Sequence, residues 1–277
     1  SMFTDPDYSG KAGSIAASAV NEADMHRVSD RYDGCVAYAD KWTGWFLEHL
    51  KALGLMNNTL VILFSDHGEE FWEHGGYGHG LTLFDEVLHV PLILHLPTDA
   101  VKPQRIGAQI SLVDVFATIL DLTDAPLPEG TDSESLIPLI APGSAATYAR
   151  PHVISELYTS EAEYKDDYGL PFEWLSRSLR TPAYKYIVSN KPDIQKEEAQ
   201  PVYPDKPAES LYNLTDDPME QHNLAEKEIE QLSRLKQGLL EFLRASDPLQ
   251  DVSGIKPVQV DDLKEDDIQS LQALGYL

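Results

Sequence analysis

Cysteine is almost absent from this sequence. The 277-residue chain contains one, Cys35, which excludes a disulfide framework and any Cys-rich zinc site. Cys35 lies on an apolar-flanked helical pattern, and no base is near it in the sequence. We therefore expect it to be a small buried side chain rather than a nucleophile.

Basic residues are also scarce, with 21 Lys and Arg against 46 Asp and Glu and a formal net charge of −25. Such a surface repels nucleic acid and anionic lipid headgroups, so we expect no nucleic-acid partner. No apolar run approaches the roughly 18 residues needed to span a membrane, which predicts no membrane segment. The opening residues 1–5 lack the regions of a signal peptide, and the Ser1-Met2 start resembles a cloning remnant, which favours truncation.

The first part of the chain has the pattern of an α/β domain. Apolar residues recur every three or four positions from Tyr32 to Leu53, which predicts an amphipathic helix that ends at Gly54. Two short apolar runs, 59–64 and 90–96, predict strands buried on both faces. A helix followed by such a strand favours a parallel sheet with helices packed against it.

The pattern changes near residue 150. Short strands separated by turns follow at 152–158, 174–180 and 184–188 and predict an antiparallel sheet. Residues 226–244 form an amphipathic pattern typical of a helix. We therefore predict an α/β fold: part of a mixed, mostly parallel sheet flanked by helices, followed by a small antiparallel sheet with a C-terminal helix. The predicted division is residues 1–150 and 151–277.

Side chains capable of chemistry follow the first predicted strand. Asp66 and His67 come directly after it, and ligands bind beyond the carboxyl ends of strands in open α/β sheets. Asp and His also cap helices and line polar turns, so spacing alone leaves a structural role equally open. The Gly-rich loop that follows is either a metal or anion site or a solvated acidic loop. Its ionisable residues are Glu69, Glu70, Glu73, His74 and His79. The solvated role is favoured for its glutamates, whereas each histidine sits beside a glycine.

A family resemblance extends this interpretation. From Tyr32 onward, the order and spacing of motifs resemble those of the sulfatases of the alkaline phosphatase superfamily. The segments that carry the resemblance include 32–34, 58–62, Ser65-Asp66-His67-Gly68-Glu69, Gly78-His79-Gly80, 83–86, 90–93, 112–122, 180–187, 209–214 and Leu274-Gly275-Tyr276. The fold implied by the resemblance is a large mixed α/β sheet followed by a smaller antiparallel one.

The resemblance implies a site that binds a divalent cation, most often Ca²⁺. Asp66 occupies the position of a late metal ligand, and His67 the next position, which touches the metal or the substrate. His79 falls where many sulfatases place a Lys that binds sulfate oxygens, a task that a His performs as a donor and best when protonated. The implied substrate is a small-molecule or glycan sulfate ester. Sulfatases are often exported to the periplasm or the extracellular space, but the sequence itself leaves the compartment unknown.

Parts of the family pattern are missing. The chain has no early Asp-Asp pair and no Cys- or Ser-Pro-Arg type motif, whose Cys or Ser becomes the formylglycine nucleophile. A metal cannot replace a covalent nucleophile, so we expect no catalytic residue here. The prediction is the C-terminal part of a metal-dependent sulfatase, inactive without its N-terminal half.

Two alternative functions stay open at this point. His79 in place of Lys leaves room for a phosphodiesterase or phosphonate monoester hydrolase on the same scaffold. The missing nucleophile leaves room for a sulfatase-like fragment that binds without catalysis. If the chain is truncated, the large sheet is cut and its strand edges are exposed. This predicts a homo-oligomer that covers those edges.

Overall fold

A long helix begins the described part of the protein. The computed structural model describes residues 22–97, 101–140, 148, 150–159, 174–190 and 208–245, so the Ser1-Met2 start and the closing Leu274-Gly275-Tyr276 motif lie outside it. Helix α1 spans Glu22–Ala52. Gly54 has a φ of +72°, its N–H donates to the Lys51 carbonyl, and the Leu55 N–H donates to that of Leu50. This arrangement is a Schellman motif, and it confirms the predicted stop at Gly54.

The apolar side chains of α1 are largely exposed. Tyr32, Val36, Trp42 and Phe46 all belong to the predicted apolar stripe, and all have substantial contact with solvent. Cys35 is exposed as well, so its predicted burial was wrong. The sequence pattern identified a face suited to packing, but the described elements do not cover that face.

Four short strands follow α1 and form two separate antiparallel pairs. β1 spans Val61–Phe64, and β2 and β3 form a short hairpin from Glu70–Phe71 and Tyr77–Gly78. β4 spans Leu92–His95 and pairs antiparallel with β1. The predicted parallel arrangement is therefore wrong for this pair, which forms a two-stranded sheet in the described residues.

The burial predicted for β1 and β4 was wrong. Leu63, Phe64 and Ile93 are exposed, and His95 at the end of β4 is exposed too. The physical reason is that each strand has one strand neighbour among the described residues. The apolar composition of the strands is typical of a covered sheet, whereas this part of the chain leaves both faces partly open.

Three helices complete this part of the chain: α2 at Asp85–Leu88, α3 at Asp114–Leu122 and α4 at Ile137–Ile140. The Asp114 carboxylate at the start of α3 is fully buried. It accepts hydrogen bonds from Tyr148 Oη at 2.7 Å, Arg150 Nε at 2.9 Å and the Glu134 N–H at 2.9 Å. The charge of Arg150 and these donors compensate for the burial of the carboxylate.

A four-stranded antiparallel sheet follows, as predicted. Its strands are β5 at Val153–Thr159, β6 at Trp174–Arg180, β7 at Tyr184–Asn190 and β8 at Glu209–Asn213, paired in that order. An apolar cluster joins this sheet to the segment before α2. Its buried members are Leu83, Phe84, Ile187, Tyr212 and Leu214.

The C-terminal helix α5 spans Ile229–Ala245. None of the helices in the described residues is long and apolar enough to cross a membrane. The mixed α/β architecture with a small antiparallel sheet and a C-terminal helix confirms the predicted fold class. The division at residue 150 stays a prediction.

Candidate metal and sulfate site

The loop that carries the candidate site is held against α2 by a glycine. The Gly68 N–H donates to the Val87 carbonyl at 2.7 Å. A Cβ atom added at Gly68 would lie 2.0 Å from the Glu86 carbonyl oxygen, far inside van der Waals contact. Only glycine permits this approach, so the loop leaves β1 at a fixed position on α2.

Asp66 and His67 present an oxygen and a nitrogen to the same region. His67 Nδ1 lies 2.9 Å from the Gly68 carbonyl oxygen, which only accepts, so the proton belongs on Nδ1. Nε2 of the neutral ring then carries the lone pair, 3.8 Å from Asp66 Oδ1. Both side chains reach solvent, with exposed fractions of 57% for Asp66 and 36% for His67.

The β2–β3 hairpin brings His79 to His67. Their ring centroids are 4.0 Å apart with an angle of 33° between the planes. Glu69 joins them, because its Oε1 lies 2.6 Å from His79 Nδ1 and 4.0 Å from His67 Nδ1. The structure therefore brings the predicted residues Asp66, His67 and His79 together, and adds Glu69, for which the sequence favoured a solvated role.

The donor set fits part of a cation site. Ligand atoms of His67, Glu69 and His79 all lie within 4.8 Å of one another, and Asp66 adds a carboxylate beside His67. Ca²⁺ takes six to eight oxygen ligands, more than these residues supply. They therefore fit one side of a metal site.

A second cluster, Glu70, His74 and Glu86, has the spacing of a metal site but not its chemistry. Glu70 Oε1 accepts the Gly76 N–H at 2.6 Å, and Oε2 accepts the Thr82 hydroxyl at 3.0 Å. Both His74 nitrogens have acceptors, Glu86 Oε1 at 2.5 Å and the Glu220 carbonyl at 3.0 Å. The three side chains are also largely buried, unlike Asp66, His67 and His79, so we assign this cluster to support of the loop.

Behind this cluster lies an ion-pair network that the sequence did not reveal. Lys185 Nζ is fully buried, 2.8 Å from Asp85 Oδ1 and 3.0 Å from Glu220 Oε1. Arg180 Nη2 lies 2.8 Å from Asp85 Oδ2. These contacts tie β6 and β7 to the start of α2, and so to the segment that positions Gly68.

The network shifts its two carboxyl groups in opposite directions. Burial favours the neutral form of Asp85, but hydrogen bonds and charges from Arg180 and Lys185 outweigh it and lower the pKa of Asp85 to about 2. For Glu220, burial is the largest influence and the Asp85 charge adds to it, so its pKa is raised despite Lys185. Arg180 pairs with Asp85, which explains why Asp85 is the more strongly stabilised anion.

Comparisons with family models agree with this fold. The sulfatase family model matches residues 3–125, and the model of the N-sulphoglucosamine sulphohydrolase C-terminal region matches residues 72–245. The second match alone covers more than half of the chain. The protein therefore belongs to the sulfatase family.

Individual relatives place the chain within that family. It is 28% identical over 221 residues to arylsulfatase K of Canis lupus familiaris, a match that covers 80% of this chain and 38% of the relative. The human arylsulfatase K is 27% identical over the same length, with 80% and 38% covered. The chain thus spans about two fifths of the length of these relatives.

Solved structures show the same fold. The phosphonate monoester hydrolase of Agrobacterium radiobacter matches with a TM-score of 0.63 and 25% identity, covering 83% of this chain and 43% of that one. A structure solved with its substrate D-glucosamine-2-N,6-O-disulfate has a TM-score of 0.61 and 24% identity, covering 82% and 43%.

Proposed function

We propose that these residues form the C-terminal part of a metal-dependent sulfatase and that Asp66 and His67 are ligands of its cation. The observation that carries the proposal is the placement of Asp66 Oδ1 and the lone-pair nitrogen His67 Nε2 3.8 Å apart at the end of a strand. Both atoms are suited to a divalent ion. Ca²⁺ is favoured by the family resemblance, and when bound it supplies Lewis-acid chemistry at an ester oxygen.

His79 is the candidate contact to the sulfate group. Glu69 Oε1 accepts a hydrogen bond from His79 Nδ1 at 2.6 Å, which fixes the ring orientation and leaves Nε2 for the ligand. Nε2 donates to a sulfate oxygen when the ring is doubly protonated. His79 is half exposed, with a fraction of 52%, so a ligand can reach it. The substrate bound in one structural neighbour, a disulfated glucosamine, supports a glycan sulfate ester as the substrate class.

We also propose that the remaining ligands and the nucleophile belong to a segment outside these residues. Large exposed apolar side chains on α1, β1 and β4 support this, because extensive apolar exposure usually marks an interaction surface. A complementary sulfatase-fold segment is the proposed cover. A second copy of this chain is the alternative.

A phosphonate or phosphate ester is the second candidate substrate. Two observations favour it: His79 replaces the Lys common in sulfatases, and the Agrobacterium radiobacter phosphonate monoester hydrolase shares the fold at 25% identity. The sulfate ester is preferred because both family models that match are those of sulfatases.

Turnover assays test these proposals. The 277-residue chain alone should not hydrolyse 4-nitrophenyl sulfate with Ca²⁺, whereas a polypeptide extended with the preceding coding sequence should. Faster turnover of a phosphonate monoester by the extended protein would favour the second candidate. Inactivity of the extended protein on both substrates would refute the enzyme proposal, and light scattering of the short chain would show whether it dimerises.

A further inference from the structure

His74 connects the site loop to two other elements of the fold. Its Nδ1 lies 2.5 Å from Glu86 Oε1 on α2, and its Nε2 lies 3.0 Å from the carbonyl oxygen of Glu220, after β8. The ring stacks on Phe84 with a centroid distance of 3.5 Å and an angle of 6°. Its position in the loop is midway between Glu69 and His79.

Both hydrogen bonds of His74 require the charged ring. A carboxylate oxygen and a backbone carbonyl oxygen only accept hydrogen bonds, and a neutral imidazole has one N–H to donate. The doubly protonated ring has two and satisfies both partners. Burial lowers the pKa of His74, but the hydrogen bond and charge of Glu86, with those of Glu220, outweigh it and leave the pKa raised.

The Glu220 acceptor is itself held in place. Glu220 has a φ of +54°, and its Oε2 accepts the Asp85 N–H at 2.6 Å. Lys185 Nζ neutralises that carboxylate from the β7 side. Glu70 and Glu86 are the other acidic groups close to His74, and Glu86 favours the protonated ring.

We infer that His74 is a positioning residue whose doubly protonated ring fastens the loop of residues 68–80, and with it His79, to α2 and to Glu220. As pH rises and the ring loses a proton, the remaining N–H stays with the Glu86 carboxylate, the stronger acceptor. The bond to the Glu220 carbonyl is then lost. Gln221 Nε2, 3.4 Å from His74 Nε2, can then donate to the bare nitrogen in place of its 3.3 Å hydrogen bond to the Glu73 carbonyl.

Both hydrogen bonds of His74 therefore form at low pH, and the one to the Glu220 carbonyl is lost as pH rises. Because the pKa in the folded protein lies above the ordinary histidine value of about 6.5, the contact is complete below that value and is lost as pH passes the raised pKa. Its effect on turnover rests on the proposed function, whereas its effect on the loop does not.

Amide hydrogen exchange of the 277-residue chain tests the inference directly. The reporters are the N–H groups of Trp72, Gly75 and Gly76, which are hydrogen-bonded inside the loop. After correction for intrinsic exchange rates, we expect their protection to fall about tenfold between pH 5.5 and pH 8.5, as loss of a charged hydrogen bond implies. His74→Gln should show low protection that does not change with pH.

His222→Gln is the matched control, since His222 is exposed and lies close in sequence to Glu220. It should keep the wild-type profile. If His74→Gln does not fold, an NMR titration of the wild-type ring replaces it. A His74 midpoint at or below about 6.5, or loop protection independent of pH in the wild type, would overturn the inference.

The two proposals fail in different ways. A pH-dependent loop in a protein whose extended form hydrolyses no ester would refute the proposed function and leave the role of His74 intact. If the extended protein is active and depends on the cation, but amide protection in its loop does not change with pH, the role of His74 alone is refuted.

Discussion

Gly68→Ala should damage both the fold and the candidate site. The added Cβ would lie 2.0 Å from the Glu86 carbonyl oxygen, whereas ordinary contact begins near 3.4 Å, so one backbone must move by about 1.4 Å. Overpacking of this kind costs about 1–3 kcal/mol. The movement also breaks the 2.7 Å hydrogen bond from the Gly68 N–H to the Val87 carbonyl, which contributes about 1 kcal/mol. The expected loss of unfolding free energy is therefore about 2–4 kcal/mol.

Urea denaturation followed by circular dichroism measures this loss. Gly44→Ala is the matched control, because Gly44 lies within α1 and an added Cβ there meets nothing within 4 Å. The control should be neutral or stabilising by about 0.5–1 kcal/mol, since Ala is the better helix former. If both variants unfold at the same urea concentration as the wild type, the loop is not held against α2 as described.

Further predictions concern the buried charges. Lys185→Met removes the ammonium shared by Glu220 and Asp85 and should cost about 3–5 kcal/mol in a urea titration; a loss below about 1 kcal/mol would show that the network is dispensable. Asp114→Ala leaves Arg150 without its buried partner and should lower the unfolding free energy by about 3 kcal/mol, and an unchanged melting temperature would contradict this. Because the pKa of Asp85 is lowered to about 2, its contribution of about 2 kcal/mol is present above pH 4 and is lost toward pH 2. Asp85→Asn should therefore be less stable than the wild type at pH 7 and should lack that acid-dependent loss, and a wild-type acid profile in the variant would contradict the assignment.

Local patterns predicted much of the fold. Sequence patterns located α1, strands β1 and β4, three strands of the four-stranded sheet and α5, and Gly54 marked the helix end correctly. Burial was predicted less well: the apolar runs of β1 and β4 are those of covered strands, yet Leu63 and Ile93 are exposed. Sequence composition shows that a strand is suited to packing against apolar surface. It cannot show whether the segment that provides this surface lies within the same 277 residues.

The candidate site was predicted in part. The resemblance indicated Asp66, His67 and His79, and the structure brings their side chains together. Glu69 was missed, although a hairpin pairing Glu70 with Gly78 places residues 69 and 79 opposite each other. The support from Lys185 and Glu220 was unpredictable from spacing, because it joins positions 35 residues apart to each other and to a loop more than 100 residues away.

Cation-dependent turnover of an aryl sulfate by the extended polypeptide tests the central claim most directly. With Ca²⁺ present, the wild-type protein should hydrolyse 4-nitrophenyl sulfate, and Asp66→Ala should reduce turnover by at least about 100-fold, as loss of a metal ligand implies. Glu129→Ala, an exposed carboxylate away from the loop, should retain the wild-type rate. Turnover by Asp66→Ala equal to that of the Glu129→Ala control would contradict the assignment of Asp66 as a metal ligand.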